Sequence, residues 1–182
     1  MTTLTSLTAL PLSHFAPEDQ PLHTISLLVR NQPGVLVRVA LVFSRRGYNI
    51  ESLVVSPGIE DTLYSRMTIT CRGETNTLEQ IIKQLFKLID VVQAVDHTGQ
   101  SVVETEIALI KIKASLNART EVLQIAEHYK ANIKDYQADS LIIQVSGQTD
   151  KLDTFIDLLR PFGVVELVRS GKLLMARGAD AT

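Results

Sequence analysis

Several things are scarce in this chain of 182 residues, and each scarcity excludes something. A single cysteine, Cys71, rules out an intramolecular disulfide framework and any zinc site built from clustered thiolates. Charge of one sign is not in excess: 18 Lys and Arg face 20 Asp and Glu, for a net −2. Without a basic field to meet phosphates, nucleic acid is not an expected partner. No apolar run approaches the roughly 18 residues of a membrane span, so no membrane association is expected and the chain reads as soluble and cytoplasmic. Tryptophan is absent, yet apolar residues make up 45% of the chain, an ordinary supply for a globular core.

The familiar signatures of chemistry are missing too. There is no G-x-G-x-x-G and no G-x-x-x-x-G-K-[ST], and Gly171-Lys172 lacks the upstream glycine of a phosphate loop. No G-x-S-x-G occurs. His14, His23, His97 and His128 never stand at ligand spacing. Cys71 falls mid-strand with no neighbouring base in sequence. The expectation is no catalytic residue, no metal site, and a binding or regulatory module rather than an enzyme acting alone.

Residues 1–21 differ from the rest of the chain. They hold Pro11, Pro17 and Pro21 and no Lys or Arg; the first basic residue is Arg30. Secretory and organelle-targeting leaders need early positive charge, so a flexible N-terminal extension is expected. From Leu22 onward strand and helix signals alternate. His23, Ile25, Leu27 and Val29 keep a period of two, with Thr24 and Ser26 opposite. Val35, Leu36, Val39, Ala40, Val42 and Phe43 keep a helical period, and Gly47 stops it. Strands are expected at Tyr48 to Ser56 and around Leu63, Met67, Ile69 and Cys71. A helix comes next, with Leu78, Ile81, Ile82, Leu85, Phe86 and Ile89 inward, and then a strand over Val91 to Val95.

This βαββαβ order repeats. Strands at Glu106 to Lys113, Ile133 to Gln137, Leu141 to Val145 and Val164 to Val168 alternate with helices around Val122, Ile125, Ala126 and Tyr129 and around Leu152, Phe155, Ile156 and Leu159. Thr149 or Asp150 can cap the last helix. Lys172 to Met175 adds a further strand, and His97 to Ser101 reads as a linker. The expected fold is α+β: two ferredoxin-like βαββαβ domains in tandem, over residues 22–98 and 99–182. With helices on one side, each sheet has an open face or edge, so pairing with a second copy is expected.

One segment stands apart. Asn31-Gln32-Pro33-Gly34 joins the first strand to the first helix, whose opening N–H groups lack helical acceptors and can receive a carboxylate. Gly34 allows close approach to the main chain, Asn31 offers a donor and an acceptor, and Val35 and Leu36 are apolar. These features suit a small zwitterion with an aliphatic side chain. Taken by themselves they suit an ordinary turn and helix start better.

The same residues, together with Phe43-Ser44-Arg45-Arg46-Gly47-Tyr48-Asn49-Ile50-Glu51-Ser52-Leu53 and Ser65-Arg66-Met67-Thr68-Ile69, resemble the ACT domain of acetolactate synthase small subunits. The run R-G-Y-N-I-E-S-L carries most of that likeness, and Val165 to Gly171 resembles the family's second domain. The resemblance implies an ACT domain at 22–98 and a C-terminal regulatory-subunit domain at 99–182. It implies a non-catalytic subunit that activates the large catalytic subunit and makes it sensitive to valine, or to leucine or isoleucine. Thiamine diphosphate, Mg²⁺ and FAD are then expected on the large subunit and no cofactor on this one. The resemblance also implies a homodimer through ACT domains. Its effector residues are Asn31 for the polar end of the ligand, Gly34 for closure of the loop, and Val35 and Leu36 for helix-start N–H groups. Asn49, with Ile50 beside it, is the second asparagine, which in ACT dimers reaches across from the neighbouring subunit. A free-standing tandem-ACT amino-acid sensor is the alternative.

Overall fold

A computed structural model describes residues 20–58, 62–114, 116–178 and 182 of the chain. The expected extension lies outside the described residues except for Gln20 and Pro21. The carbonyls of these two accept hydrogen bonds from Arg72 Nη1 and Gly73 N, so the end of that stretch is fixed to the body.

The first half runs β1 (Leu22–Arg30), α1 (Val35–Arg45), β2 (Ile50–Pro57), β3 (Tyr64–Arg72), α2 (Thr75–Leu85) and β4 (Val91–Asp96). Its sheet is antiparallel in the order β2-β3-β1-β4. The period-two pattern of β1 decides which face is inside. Ile25, Leu27 and Val29 lie with Met67, Ile69 and Cys71 of β3 beneath Val35, Val39 and Phe43 of α1 and Leu78, Ile81 and Leu85 of α2. Cys71 belongs to this core. Burial, followed by the carboxylates of Glu51 and Asp96, pushes its thiol up to about 12, so it stays protonated and inert.

The second half repeats the plan with β5 (Val102–Lys113), α3 (Leu116–His128), β6 (Asn132–Tyr136), β7 (Ser140–Gly147), α4 (Thr149–Leu159) and β8 (Val164–Arg169). The sheet order is β6-β7-β5-β8. A last strand, β9 (Leu173–Ala176), continues along β5 beyond β8. Its core gathers Ile110, Ile112, Leu141, Ile143, Val122 and Phe155. The expected α+β class and the doubled βαββαβ order are both present. Among the described residues no helix is long and apolar enough to cross a membrane.

Several expectations fail for reasons outside local pattern. α2 ends at Leu85, so Phe86 and Ile89 leave the helical face, and Ile89 is 82% exposed. Leu36 sits on the outer flank of α1, and Leu63 lies outside β3; both are exposed. Neither Thr149 nor Asp150 caps α4: Gln148 precedes the helix without a side-chain bond, and Thr149 Oγ1 donates to Glu106 Oε1 instead. The outer face of the first sheet is not open. Thr24, Ser26, Thr68 and Thr70 are buried there, with Ser26 Oγ 2.7 Å from His97 Nε2 of the linker and Ser52 Oγ 2.6 Å from Thr70 Oγ1. The second sheet does leave its outer face open, exposing Ile107, Leu109, Val168 and Met175.

The end of α2 supplies a stability test. Leu85→Ala empties a closed core position and should cost about 2–5 kcal/mol in urea denaturation. Ile89→Ala, beyond the helix, should shift stability by less than about 0.5 kcal/mol.

Candidate functional site

The Asn31–Gly34 segment is a turn held at both ends. Arg30 N donates to Asp90 O at 2.8 Å, and Asn31 N donates to Leu63 O at 2.6 Å. The Asn31 side chain donates from Nδ2 to Thr62 O at 2.9 Å. That bond engages the amide nitrogen and leaves Oδ1, a pure acceptor, suited to a ligand ammonium. Gly34 stands at the N-cap with φ 83°, a left-handed conformation that side chains disfavour. It supplies no capping side chain, and the first turn of α1 contains no acidic residue. The positive end of the helix is therefore not neutralised from within its own first turn.

Arg38, one turn on, adds a cation that is already paired. Its Nε and Nη2 lie 2.8 and 2.7 Å from Asp90 Oδ2, and Asp90 is buried. The arginine borders the loop, because a Cβ on Gly34 would stand 3.2 Å from Arg38 Nη1. Val35 is buried in the core, which leaves only its main chain as a contributor; its N–H makes a long 3.4 Å contact with Gln32 O. Leu36, by contrast, is 41% exposed next to the turn. A shallow cavity of about 230 Å³ opens here between Arg30, Asn31, Gln32, Leu63 and Tyr64. Sequence reasoning missed the last two of these and the carbonyl of Thr62. Only the pairing of Arg30 with Tyr64 across β1 and β3 brings them to the turn.

Asn49 and Ile50 are elsewhere. They come after α1 and line a second cavity, of about 410 Å³, with Ala40, Phe43, Ser44, Gly47 and Tyr48. Tyr48 fixes this end: its N–H donates to Phe43 O, and its hydroxyl donates to Glu74 O at 2.6 Å. Thus Asn31, Gly34, Val35 and Leu36 gather at the start of α1, while Asn49 and Ile50 gather past its end. The 11 residues of the helix hold the two groups about 16 Å apart. Between them the outer flank of α1 is apolar, with Leu36, Val37 and Leu41 exposed and Ala40 half-buried. Among the described residues, nothing in the protomer covers that flank.

The repeat gives an internal comparison. In the second half β5 reaches α3 through two residues instead of four, and the first is Ala114 where β1 is followed by Asn31. Arg38 and Arg119 are both the fourth residue of their helices. Arg119 is buried, however, and its Nη2 donates to the carbonyls of Ala114, Gln137 and Ala138 at 3.2, 2.6 and 2.8 Å. Its guanidinium also lies 4.5 Å over the Tyr136 ring. The crook that is open in the first half is filled by the chain itself in the second. Among the described residues, no three of His, Cys, Asp or Glu are grouped to hold a metal ion.

Comparison with known proteins meets this geometry in both halves. Residues 25–93 match the AHAS small subunit-like ACT domain, and residues 105–178 match the family described as small subunit of acetolactate synthase. The chain is 48% identical over 156 residues to a probable acetolactate synthase small subunit of Archaeoglobus fulgidus, covering 86% of this chain and 97% of that one. It is 42% identical over 157 residues to the acetolactate synthase small subunit of Bacillus subtilis, covering 86% and 91%. The crystal structure of the Thermotoga maritima acetolactate synthase small subunit superposes with a TM-score of 0.78 at 36% identity, covering 88% of this chain and 99% of that one. The chain belongs to the acetolactate synthase small-subunit family, with the ACT domain of that family in its first half.

Proposed function

We propose that this chain is the regulatory subunit that binds the large catalytic subunit of acetolactate synthase in the cytoplasm, raises its activity and confers feedback inhibition by a branched-chain amino acid, with valine the first choice. The observation that supports this reading is that the Gly34 turn and the Asn49 cavity stand at opposite ends of α1, joined by an uncovered apolar flank. A twofold axis beside that flank sets one α1 antiparallel to its copy. The Gly34 turn of one protomer then meets the Asn49 pocket of its partner. Each dimer so formed has two complete sites, and a lone protomer has none.

In this arrangement valine lies across the interface. Its carboxylate receives the N–H groups at the start of α1, where the helix field favours an anion. Its ammonium takes Asn31 Oδ1 from one side and the amide oxygen of Asn49 of the partner subunit from the other. The isopropyl group is buried against the aliphatic flank that includes Leu36. At about 0.8 kcal/mol per buried CH₂-sized group, valine gains about 1.5 kcal/mol over alanine. Leucine and isoleucine differ from valine by one methylene, worth about 1–3 kcal/mol, so one pocket admits all three with graded affinity.

Feedback then arises from differential binding. A ligand that touches both protomers favours the dimer geometry in which its two halves fit, and this can bias the bound catalytic subunit by about 1–3 kcal/mol. Thiamine diphosphate, Mg²⁺ and FAD belong on the large subunit, which carries out the chemistry. The second domain, whose equivalent turn is filled by Arg119, relays rather than receives the signal.

Reconstitution tests the whole reading: adding this chain to a large subunit should raise pyruvate turnover, and valine should then lower it. Failure to stimulate would leave the free-standing sensor. Two variants test the site. Gly34→Asp puts a carboxylate against the ligand's own, so calorimetry should show valine affinity weakened by at least about tenfold, or 1.4 kcal/mol. Val37→Asp charges the apolar flank, so sedimentation should show a monomer and valine binding should vanish with the dimer.

A further inference from the structure

Among the described residues the two halves meet where Arg66 Nη1 donates to the carbonyl of Thr182, and again where Gly171 faces Ser52 of β2. β8 and β9 lie along β5 as one edge, interrupted at Ser170-Gly171-Lys172. That interruption is pinned on both sides. Ser170 N donates to Ile107 O at 2.9 Å, and Ile107 N donates back to Ser170 Oγ at 3.0 Å. Lys172 Nζ lies 3.0 Å from Glu104 Oε2. Just before it, Arg169 binds buried Glu106 through Nε and Nη2 at 3.1 and 2.6 Å, and Asp153 of α4 through Nη1. Burial alone lowers the Arg169 pKa, but these two carboxylates outweigh it and move it up, so the guanidinium stays charged. The segment is thus a rigid part of the second half.

Gly171, with φ 79°, turns this rigid segment against β2. A Cβ at residue 171 would stand 2.8 Å from Ser52 Cβ, 2.9 Å from Ser52 Oγ and 3.4 Å from Val54 Cγ2. Only glycine fits. Around the contact the halves part into a cavity of about 450 Å³, bordered by Glu51 and Arg72 on one wall and Glu106, Asp153, Arg169 and Lys172 on the other.

β2 is the strand suited to move there. Among the described residues it is an edge strand bonded only to β3, and its register with β3 shifts between Ile50 and Ser52. A bulge disrupts the ladder locally, and an edge strand is held by the ladder on one side alone. Asn49 and Ile50 stand at its start, so the register shift falls between the second half-site and the contact residue. We propose that the Ser52–Gly171 contact transmits occupancy of the effector site to the second half, with β2 as the moving element and the cleft as the space it moves in. This rests on the effector site proposed above and adds the route by which that site acts.

The test uses holoenzyme reconstituted with a large subunit, read as valine inhibition relative to each variant's own uninhibited rate. Valine binding to each small subunit is measured separately by calorimetry. Gly171→Ala and Ser52→Leu both crowd the contact, the second without touching a positive-φ residue. Each should still bind valine, yet need about tenfold more of it for half-inhibition. The double variant Ser52→Gly with Gly171→Ala removes the two nearest atoms that the new Cβ meets and leaves Val54 Cγ2 at 3.4 Å, an ordinary contact distance, so it should recover sensitivity. Gly178→Ala, at φ 84° with nothing within 4 Å, is the control for backbone strain and should respond like the unaltered chain. If Gly171→Ala and Ser52→Leu bind valine and are inhibited normally, the transmission route is overturned while the effector site stands. If the unaltered chain binds no valine, the effector site itself is overturned, and the route falls with it.

Discussion

A short rigid rod governs this molecule. α1 holds the Gly34 turn at one end and the Asn49 pocket past the other, and 11 helical residues keep them about 16 Å apart. A branched-chain amino acid cannot bridge that distance. In the proposed dimer a second chain supplies the other end, lying on the surface formed by the exposed Leu36, Val37 and Leu41. In that proposed arrangement, ligand binding depends on how two protomers sit together, which is the property a regulatory subunit needs. No catalytic group has to take part.

Duplication of the fold has not duplicated the site. Both halves place an arginine at the fourth residue of the helix after the first strand. In one half Arg38 is drawn aside by Asp90, and the turn beside it stays open. In the other, Arg119 satisfies three carbonyls and closes the crook. The outer faces of the sheets diverge as well. The Ser and Thr face of the first sheet is buried, while the second sheet exposes Ile107, Leu109, Val168 and Met175. One half has a cavity beside the turn before its first helix, and the other has an open outer sheet face.

The sequence read well wherever one element decided the outcome. The alternation of β1 separated Ile25, Leu27 and Val29 from the opposite face, because side chains of a strand alternate whatever its neighbours do. The same logic located Asn31 and Gly34 at a strand-to-helix turn, with the conformation that favours glycine. It failed where a second element intervened. Leu36 fits the apolar period of α1, but the core below is filled by Val35, Val39 and Phe43, so Leu36 faces outward. Thr149 suits a helix cap, yet its hydroxyl goes to Glu106, 43 residues away in sequence. Thr62, Leu63 and Tyr64 join the first half-site only through the register of β3 with β1. The proposed pairing of ends across a dimer has no local signal; it comes from the family likeness.

Mixed dimers test that pairing most directly. A Gly34→Asp chain and an Asn49→Ala chain each damage both sites of their own homodimer. When the two are co-expressed and the heterodimer isolated, one interface carries both lesions and the other carries none. Calorimetry on that heterodimer should then find one valine site per dimer with the affinity of the unaltered protein. A heterodimer that binds valine no better than either parent would show that the ends of α1 do not meet across the interface.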